Sequence, residues 1–314
     1  MIRVEGLWAG YRTGFRRTWR DVLRGVSFHV PRGAVAGYLG VNGAGKTTTL
    51  KVLVGVNRPQ RGTVAIGGDP AGSFAAQARI GFLPEAPNFY DSLSGRELLA
   101  HLGRLSGLDR AALAGRVGAL LEQVGLPAAA ADQPLRGYSK GMRQRLGLAQ
   151  ALVHEPELVV LDEPLDGLDP MGRLQLRELI AAQGRAGRTV FFSTHVLADV
   201  EAICDHLVVL DGGAVAYQGP PAGLVAGADP SVDLELQGLA DPETLAAVAE
   251  AAGASAEPRG EGRVALRCPG LEAANKAVDA ARAHGGRVVL LSPHRPGLEE
   301  LFLTRFKGQV GGAP

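Results

Sequence analysis

From Met1 to about Gly219, short apolar runs alternate with stretches of helical spacing. Val35-Ala36-Gly37-Tyr38-Leu39, Leu158 to Leu161, Thr189 to Phe192 and Leu207 to Leu210 read as buried strands of an α/β sheet. Asp211-Gly212-Gly213 parts two strand-like runs and predicts a hairpin that closes this domain. Between Ala86 and Gly137 the strand pattern stops. Ser94 with Glu97 forms a capping-box pattern that opens a helix over Leu98 to Leu105. A second amphipathic run covers Ala112 to Val124 and ends at Gly125 and Pro127. Residues 1–219 are therefore read as one α/β domain, with a helical insertion over about 86–137.

Residues 220–230 are rich in Pro, Gly and Ala and read as a linker. The pattern beyond it predicts a small α+β unit over 231–314. Its elements are a strand Val232 to Leu236, a helix Pro242 to Ala252, a strand Arg263 to Arg267, a helix Glu272 to His284 and a strand Arg287 to Leu291. This unit carries no chemical motif and reads as a structural or regulatory appendage. A length of 314 residues suits two domains, each able to bury a core.

Charge and cysteine content narrow the function. Lys and Arg total 33 against 32 Asp and Glu, so no basic field points to nucleic acid. Cys204 and Cys268 stand far apart without C-x-x-C spacing, which argues against a zinc site or disulfide framework and fits a reducing cytosol. Met1-Ile2-Arg3-Val4-Glu5 opens without an apolar segment, so no signal peptide is expected. No run of about 18 apolar residues is present, so any membrane path must belong to another polypeptide.

The chemistry concentrates in a few short segments. Gly40-Val41-Asn42-Gly43-Ala44-Gly45-Lys46-Thr47 is a phosphate-binding loop, G-x-x-x-x-G-K-T, set between a strand and the start of a helix. Its glycines let backbone N–H groups face the β- and γ-phosphates, and the helix N-terminus adds its positive end. Lys46 is expected to neutralise phosphate oxygens, Thr47 to ligate Mg²⁺, and Thr48 to donate to the α-phosphate. The apolar strand Leu158 to Leu161 ends in Asp162-Glu163, and two adjacent acids at a buried strand end call for a cation. Asp162 is read as a metal ligand and Glu163 as the general base for an attacking water.

With Pro164 and the following Gly167-Leu168-Asp169, that segment resembles the Walker B motif and D-loop of ATP-binding-cassette (ABC) ATPases. Tyr138-Ser139-Lys140-Gly141-Met142 resembles their signature motif, departing from Leu-Ser-Gly-Gly-Gln at three places but keeping Ser139 and Gly141. Taken alone, Ser-Lys-Gly also suits a helix N-cap. The resemblance covers about residues 1–219. It implies the P-loop NTPase fold of ABC ATPases, with ATP and Mg²⁺ as ligands and nucleotide contacts from Ser139, Gly141 and Asp169. Because the signature serves the nucleotide of the opposite subunit, it implies a head-to-tail dimer of cassettes, identical or different, around two ATP molecules.

The same resemblance assigns His195, after Ser193-Thr194, to the switch histidine, and Tyr11 to the aromatic that stacks on adenine. Glu85 falls where most of the family has glutamine; it is expected near the metal with one more negative charge. Phe89-Tyr90 and the helical insertion lie where membrane partners dock. Leu298-Glu299-Glu300-Leu301-Phe302-Leu303 resembles a closing helix of export-type subunits. Arg12, Arg16, Arg17, Arg20 and Arg24 are read as a solvated Arg-rich loop. The expected protein is a peripheral ATPase subunit at the cytoplasmic face of the membrane, driving separate transmembrane permease subunits. The rival is a soluble ABC ATPase acting on nucleic acid or ribosomes. Near-neutral charge and the single cassette count against it.

Overall fold

The computed structural model describes residues 1–13, 18–225, 231–239, 241–254, 256–260 and 262–294. It separates into two compact units, Met1–Ala222 and Gly223–Pro314.

A six-stranded sheet runs through the first unit in the order Ala214–Gly219, His206–Asp211, Val35–Leu39, Thr189–Thr194, Leu158–Leu161 and Ile80–Leu83. The last five are parallel neighbours, and Ala214–Gly219 joins antiparallel through a turn. Gly212 and Gly213 in that turn have φ of +53° and +84°, the left-handed values a two-residue hairpin needs. Val35–Leu39, Leu158–Leu161 and Thr189–Thr194 are buried at every position, which explains their unbroken apolar lettering. Adjacent parallel strands bring their C-terminal ends to one edge. The phosphate loop follows Leu39, His195 follows Thr194, Asp162 follows Leu161, and Glu85 lies just beyond Leu83. Ligands of open α/β sheets bind at that edge.

A second, antiparallel sheet pairs Thr18–Val30, Ile2–Thr13, Arg61–Ile66 and Asp69–Pro70 in that order. Phe28 from this sheet lies 5.5 Å from Tyr38 and 5.6 Å from Phe191, the centroids of three rings that lock the two sheets together. The pairing of Ile2–Thr13 with Thr18–Val30 corrects the reading of the Arg-rich stretch as a loop. Tyr11 opposes Arg20, Arg12 opposes Trp19, and Trp8 opposes Arg24 in a β-ribbon. Register shifts after Val4, Leu7 and Ala9 break the simple alternation that would have shown it in sequence. Arg16 and Arg17 lie outside the described residues.

A helical lobe packs on the other side of the central sheet. Gly95–Leu105 opens with both halves of the capping box: Ser94 Oγ accepts from the Glu97 N–H at 3.2 Å, and Glu97 Oε2 accepts from the Ser94 N–H at 2.8 Å. Arg110–Gln123 is capped by Asp109, and Lys140–Leu152 by Ser139. Leu98, Leu99, Leu120, Leu121, Leu146 and Leu148 join one apolar core with Val159 and Leu161. Phe89 packs against this core, while Tyr90 is 75% exposed, so the adjacent aromatics do not act as a pair. Pro221–Val225 is helical, inside the stretch read as linker; proline fits a first helical position.

The second unit is a four-stranded antiparallel sheet in the order Ala256–Gly260, Arg263–Cys268, Ser231–Gln237, Arg287–His294. The helices Pro242–Ala251 and Leu271–Ala283 supply Val248, Ala277, Val278 and Ala281 to its core. Together they make the split β-α-β-β-α-β arrangement. Ala256–Gly260 was not legible as a strand. It is an edge segment with Pro258 and no apolar alternation, and it pairs on one side only. The Leu298 to Leu303 segment lies outside the described residues.

Candidate functional site

The phosphate loop is shaped by residues that admit no side chain. Gly43 and Gly45 sit at φ +84° and +111°, and a Cβ on Gly45 would come 2.6 Å from Leu23 Cδ2. A Cβ on Gly40 would lie 2.7 Å from the Leu210 carbonyl oxygen. Helix Lys46–Leu53 begins at Gly45 with no side-chain cap, which leaves its first N–H groups for an anion. Lys46 is 6% exposed; its Nζ donates to the Gly40 carbonyl at 2.7 Å and the Val41 carbonyl at 3.3 Å, and lies 3.0 Å from Glu163 Oε1.

Glu163 has two side-chain partners. Its Oε2 is 3.1 Å from His195 Nδ1, so Lys46, Glu163 and His195 form one polar chain across three strand ends. Its backbone is held at φ +44°, a left-handed conformation that costs a non-glycine residue about 1–2 kcal/mol. Ser193 holds it there: the Glu163 N–H donates to Ser193 Oγ at 2.8 Å, and that hydroxyl donates to Asp162 Oδ1 at 2.7 Å. Ser193 is fully buried; the sequence marks it only as part of the run leading to His195 and gives it no role of its own. A polar residue at the end of the apolar run Thr189 to Phe192 was the available signal.

Asp162 faces the loop, where Thr47 Oγ1 donates to its Oδ1 at 3.2 Å. Burial pushes its carboxyl above the usual carboxylate range, against the hydrogen bonds from Ser193 and Thr47. A buried carboxylate that resists its own charge, beside a threonine hydroxyl, offers an all-oxygen pair suited to a hard divalent cation. Among the described residues no cluster of three His, Cys, Asp or Glu could hold a metal by itself. The Thr47 and Asp162 oxygens match the one or two protein ligands that Mg²⁺ takes, with water and phosphate completing its shell.

Tyr11, Asn42, Gly43, Gly45, Lys46, Thr47, Thr48, Glu85, Glu163 and His195 line one cavity of about 360 Å³. Val22 and Asp166 line it too, and neither was expected. Tyr11 is half exposed at its rim. Gly40, Val41 and Ala44 shape the loop from behind, Ala44 buried in the core and Val41 turned outward. Ser139, Gly141 and Asp169 are elsewhere. They line a separate cavity of about 470 Å³ with Lys140, Gly167 and Leu168. Ser139 also caps its helix, accepting from the Met142 N–H at 3.3 Å, as the N-cap reading expects.

The family model described as ABC transporter matches residues 23–166. An uncharacterized ABC transporter ATP-binding protein of Synechocystis is 38% identical over 299 residues, covering 95% of this chain and 82% of the relative. The chain belongs to the ABC transporter ATP-binding family. The Nod factor export ATP-binding protein I of Ralstonia nicotianae is 38% identical over 72% of this chain and 68% of its own length. A solved ATP-binding subunit of an ABC transporter superposes with a TM-score of 0.64 at 32% identity, covering 71% of this chain and 91% of that one. This ABC subunit is accordingly an ATP-binding ATPase, and no helix among its described residues is long and apolar enough to cross a membrane.

Proposed function

We propose that two cassettes, this chain and a second one, close head to tail around two ATP molecules and that their closure drives separate transmembrane subunits. The observation that supports this is the division of the binding residues between two cavities. Lys46, Thr47, Glu163 and His195 line one; Ser139, Gly141 and Asp169 line the other. A single chain therefore offers half a nucleotide site at each of two places, and head-to-tail pairing joins the halves.

Within the site, loop N–H groups and Lys46 take the β- and γ-phosphates, and Tyr11 and Val22 flank the base. Thr47 and Asp162, with Glu85 nearby, would hold Mg²⁺, which supplies charge neutralisation on the phosphates. Glu163 accepts a proton from water as the water oxygen bonds the γ-phosphorus and the bond to the β-phosphate oxygen breaks. His195 orients Glu163 and the γ-phosphate. Ser139 and Gly141 of the opposite cassette add a hydroxyl and an N–H to that phosphate. Release of ADP and phosphate opens the pair.

The curated relative that handles Nod factor is named for export. We assign this chain to the export direction on that similarity, and place it at the cytoplasmic face of the membrane.

The test is affinity purification of tagged Glu163→Gln protein from detergent-solubilised membranes with ATP and Mg²⁺. A stoichiometric multi-span partner is expected. Recovery from the soluble fraction with ribosomes or DNA would overturn the transport assignment.

A further inference from the structure

One buried carboxylate has no part in the nucleotide chemistry above. Asp199 is 1% exposed, on helix Leu197–Ile203 directly after His195. Arg173 grips both its oxygens, Nε donating to Oδ1 at 2.9 Å and Nη2 to Oδ2 at 2.6 Å. Arg177 Nη1 lies 3.9 Å from Oδ1. Thr194 Oγ1 donates to Oδ2 at 3.4 Å and accepts from the Val196 N–H at 3.0 Å. The carboxylate thus holds the residues on both sides of His195, Thr194 directly and Val196 through Thr194.

Arg173 follows Asp169, Met171 and Gly172, which line the other cavity. It sits in the first turn of helix Pro170–Arg185, where its N–H donates to the Asp169 carbonyl at 2.9 Å. Its charge also feels Asp166 and Glu163. A buried ion pair is weak evidence for stability, because desolvation cancels much of the attraction. A forked guanidinium–carboxylate pair fixes distance and angle, which is what a link between two loops requires.

We propose that Arg173 and Asp199 are positioning residues that hold the His195 loop and the Asp166–Asp169 loop as one body. The proposal rests on the two-cavity reading above. His195 belongs to the cavity completed by the partner's signature, and Asp169 to the cavity that completes the partner's site. The pair therefore transmits the closure of one nucleotide site to the other, and sets where His195 meets Glu163.

The test uses the full chain with ATP and Mg²⁺. Arg173→Lys keeps a cation beside buried Asp199 but loses the fork. Its kcat is expected to fall about ten-fold, with KM for ATP and the thermal midpoint near parent values. Adding His195→Ala should cost nothing beyond His195→Ala alone, because both changes act on one unit. Parent kcat in Arg173→Lys, or losses that multiply with His195→Ala, would overturn the proposal. If Arg173→Lys folds poorly, Arg173→Gln with Asp199→Asn removes both charges together. The same kcat loss is expected there, and parent activity would overturn the proposal. Glu163→Gln run in parallel separates the two claims. An active Glu163→Gln sinks the site reading, whereas an inactive one beside fully active Arg173→Lys sinks only the loop coupling.

Discussion

Lys46 Nζ lies 3.0 Å from Glu163 Oε1, and the two side chains are 6% and 12% exposed. The phosphate-loop cation and the assigned base therefore share a nearly buried ion pair. Removing one partner of such a pair leaves the other charge stranded, at a cost of about 3 kcal/mol. Lys46→Met and Glu163→Gln are each expected to lower stability by up to about that much, and Lys46→Met abolishes ATP binding as well. The double variant should recover part of the loss. A urea-denaturation cycle over the four proteins measures this, and strictly additive losses would show that the pair is not coupled.

Ser193 is the hinge between the two acids, since one hydroxyl meets the Glu163 N–H and Asp162 Oδ1. Ser193→Ala frees the strained backbone at Glu163 and unseats Asp162. We expect a loss of about 1–3 kcal/mol in stability from the unsatisfied groups. We expect kcat to fall by about 10–100-fold with a smaller change in KM for ATP. Steady-state kinetics and thermal melts on the same preparations test both.

How much of this was legible in sequence follows from distance along the chain. Gly40 to Thr48 form one continuous segment whose chemistry needs no partner, and Asp162-Glu163 close a strand visible from its own four residues. Val22 and Asp166 were missed, and Ser193 received no role of its own, because their roles exist only once separate strands lie side by side. Ser193 meets Asp162 across a parallel pair in which Leu161 opposes Phe192. The strands failed where periodicity failed: Ala256–Gly260 is polar and carries Pro258, and the ribbon at Tyr11 and Arg20 is interrupted by register shifts. The capping box at Ser94 and Glu97 was readable because both of its bonds are local.

Asp162 gives a signed pH prediction. Its folded-state pKa is shifted upward by burial, so the charged form is disfavoured in the fold. The resulting cost is absent below the unfolded value and fully present above the raised one. Stability therefore falls as pH rises through that window. Asp162→Asn removes the cost and keeps an Oδ1 to accept from both Ser193 and Thr47. Without nucleotide it should melt higher than the parent at neutral pH, with the gap closing at acid pH, while losing the stabilisation that Mg²⁺ and ATP give the parent. A lower melting point at neutral pH would contradict the assigned burial cost.

Gly45 tests the loop itself. At φ +111° with Leu23 2.6 Å from an added Cβ, Gly45→Ala must shift both the backbone and the ribbon beneath it. A loss of about 1–2 kcal/mol and a much weaker ATP affinity are expected. Isothermal titration with ATP, beside Gly43→Ala, where an added Cβ meets nothing within 4 Å, separates steric from conformational strain.

The central claim is that one chain holds half of each nucleotide site. The direct measurement is the mass of Glu163→Gln by light scattering with ATP and Mg²⁺, alone and with Ser139→Ala added. The account predicts an ATP-dependent dimer that Ser139→Ala weakens, although Ser139 lines a cavity separate from the phosphate loop. A nucleotide-loaded monomer, or a dimer indifferent to Ser139, would contradict it.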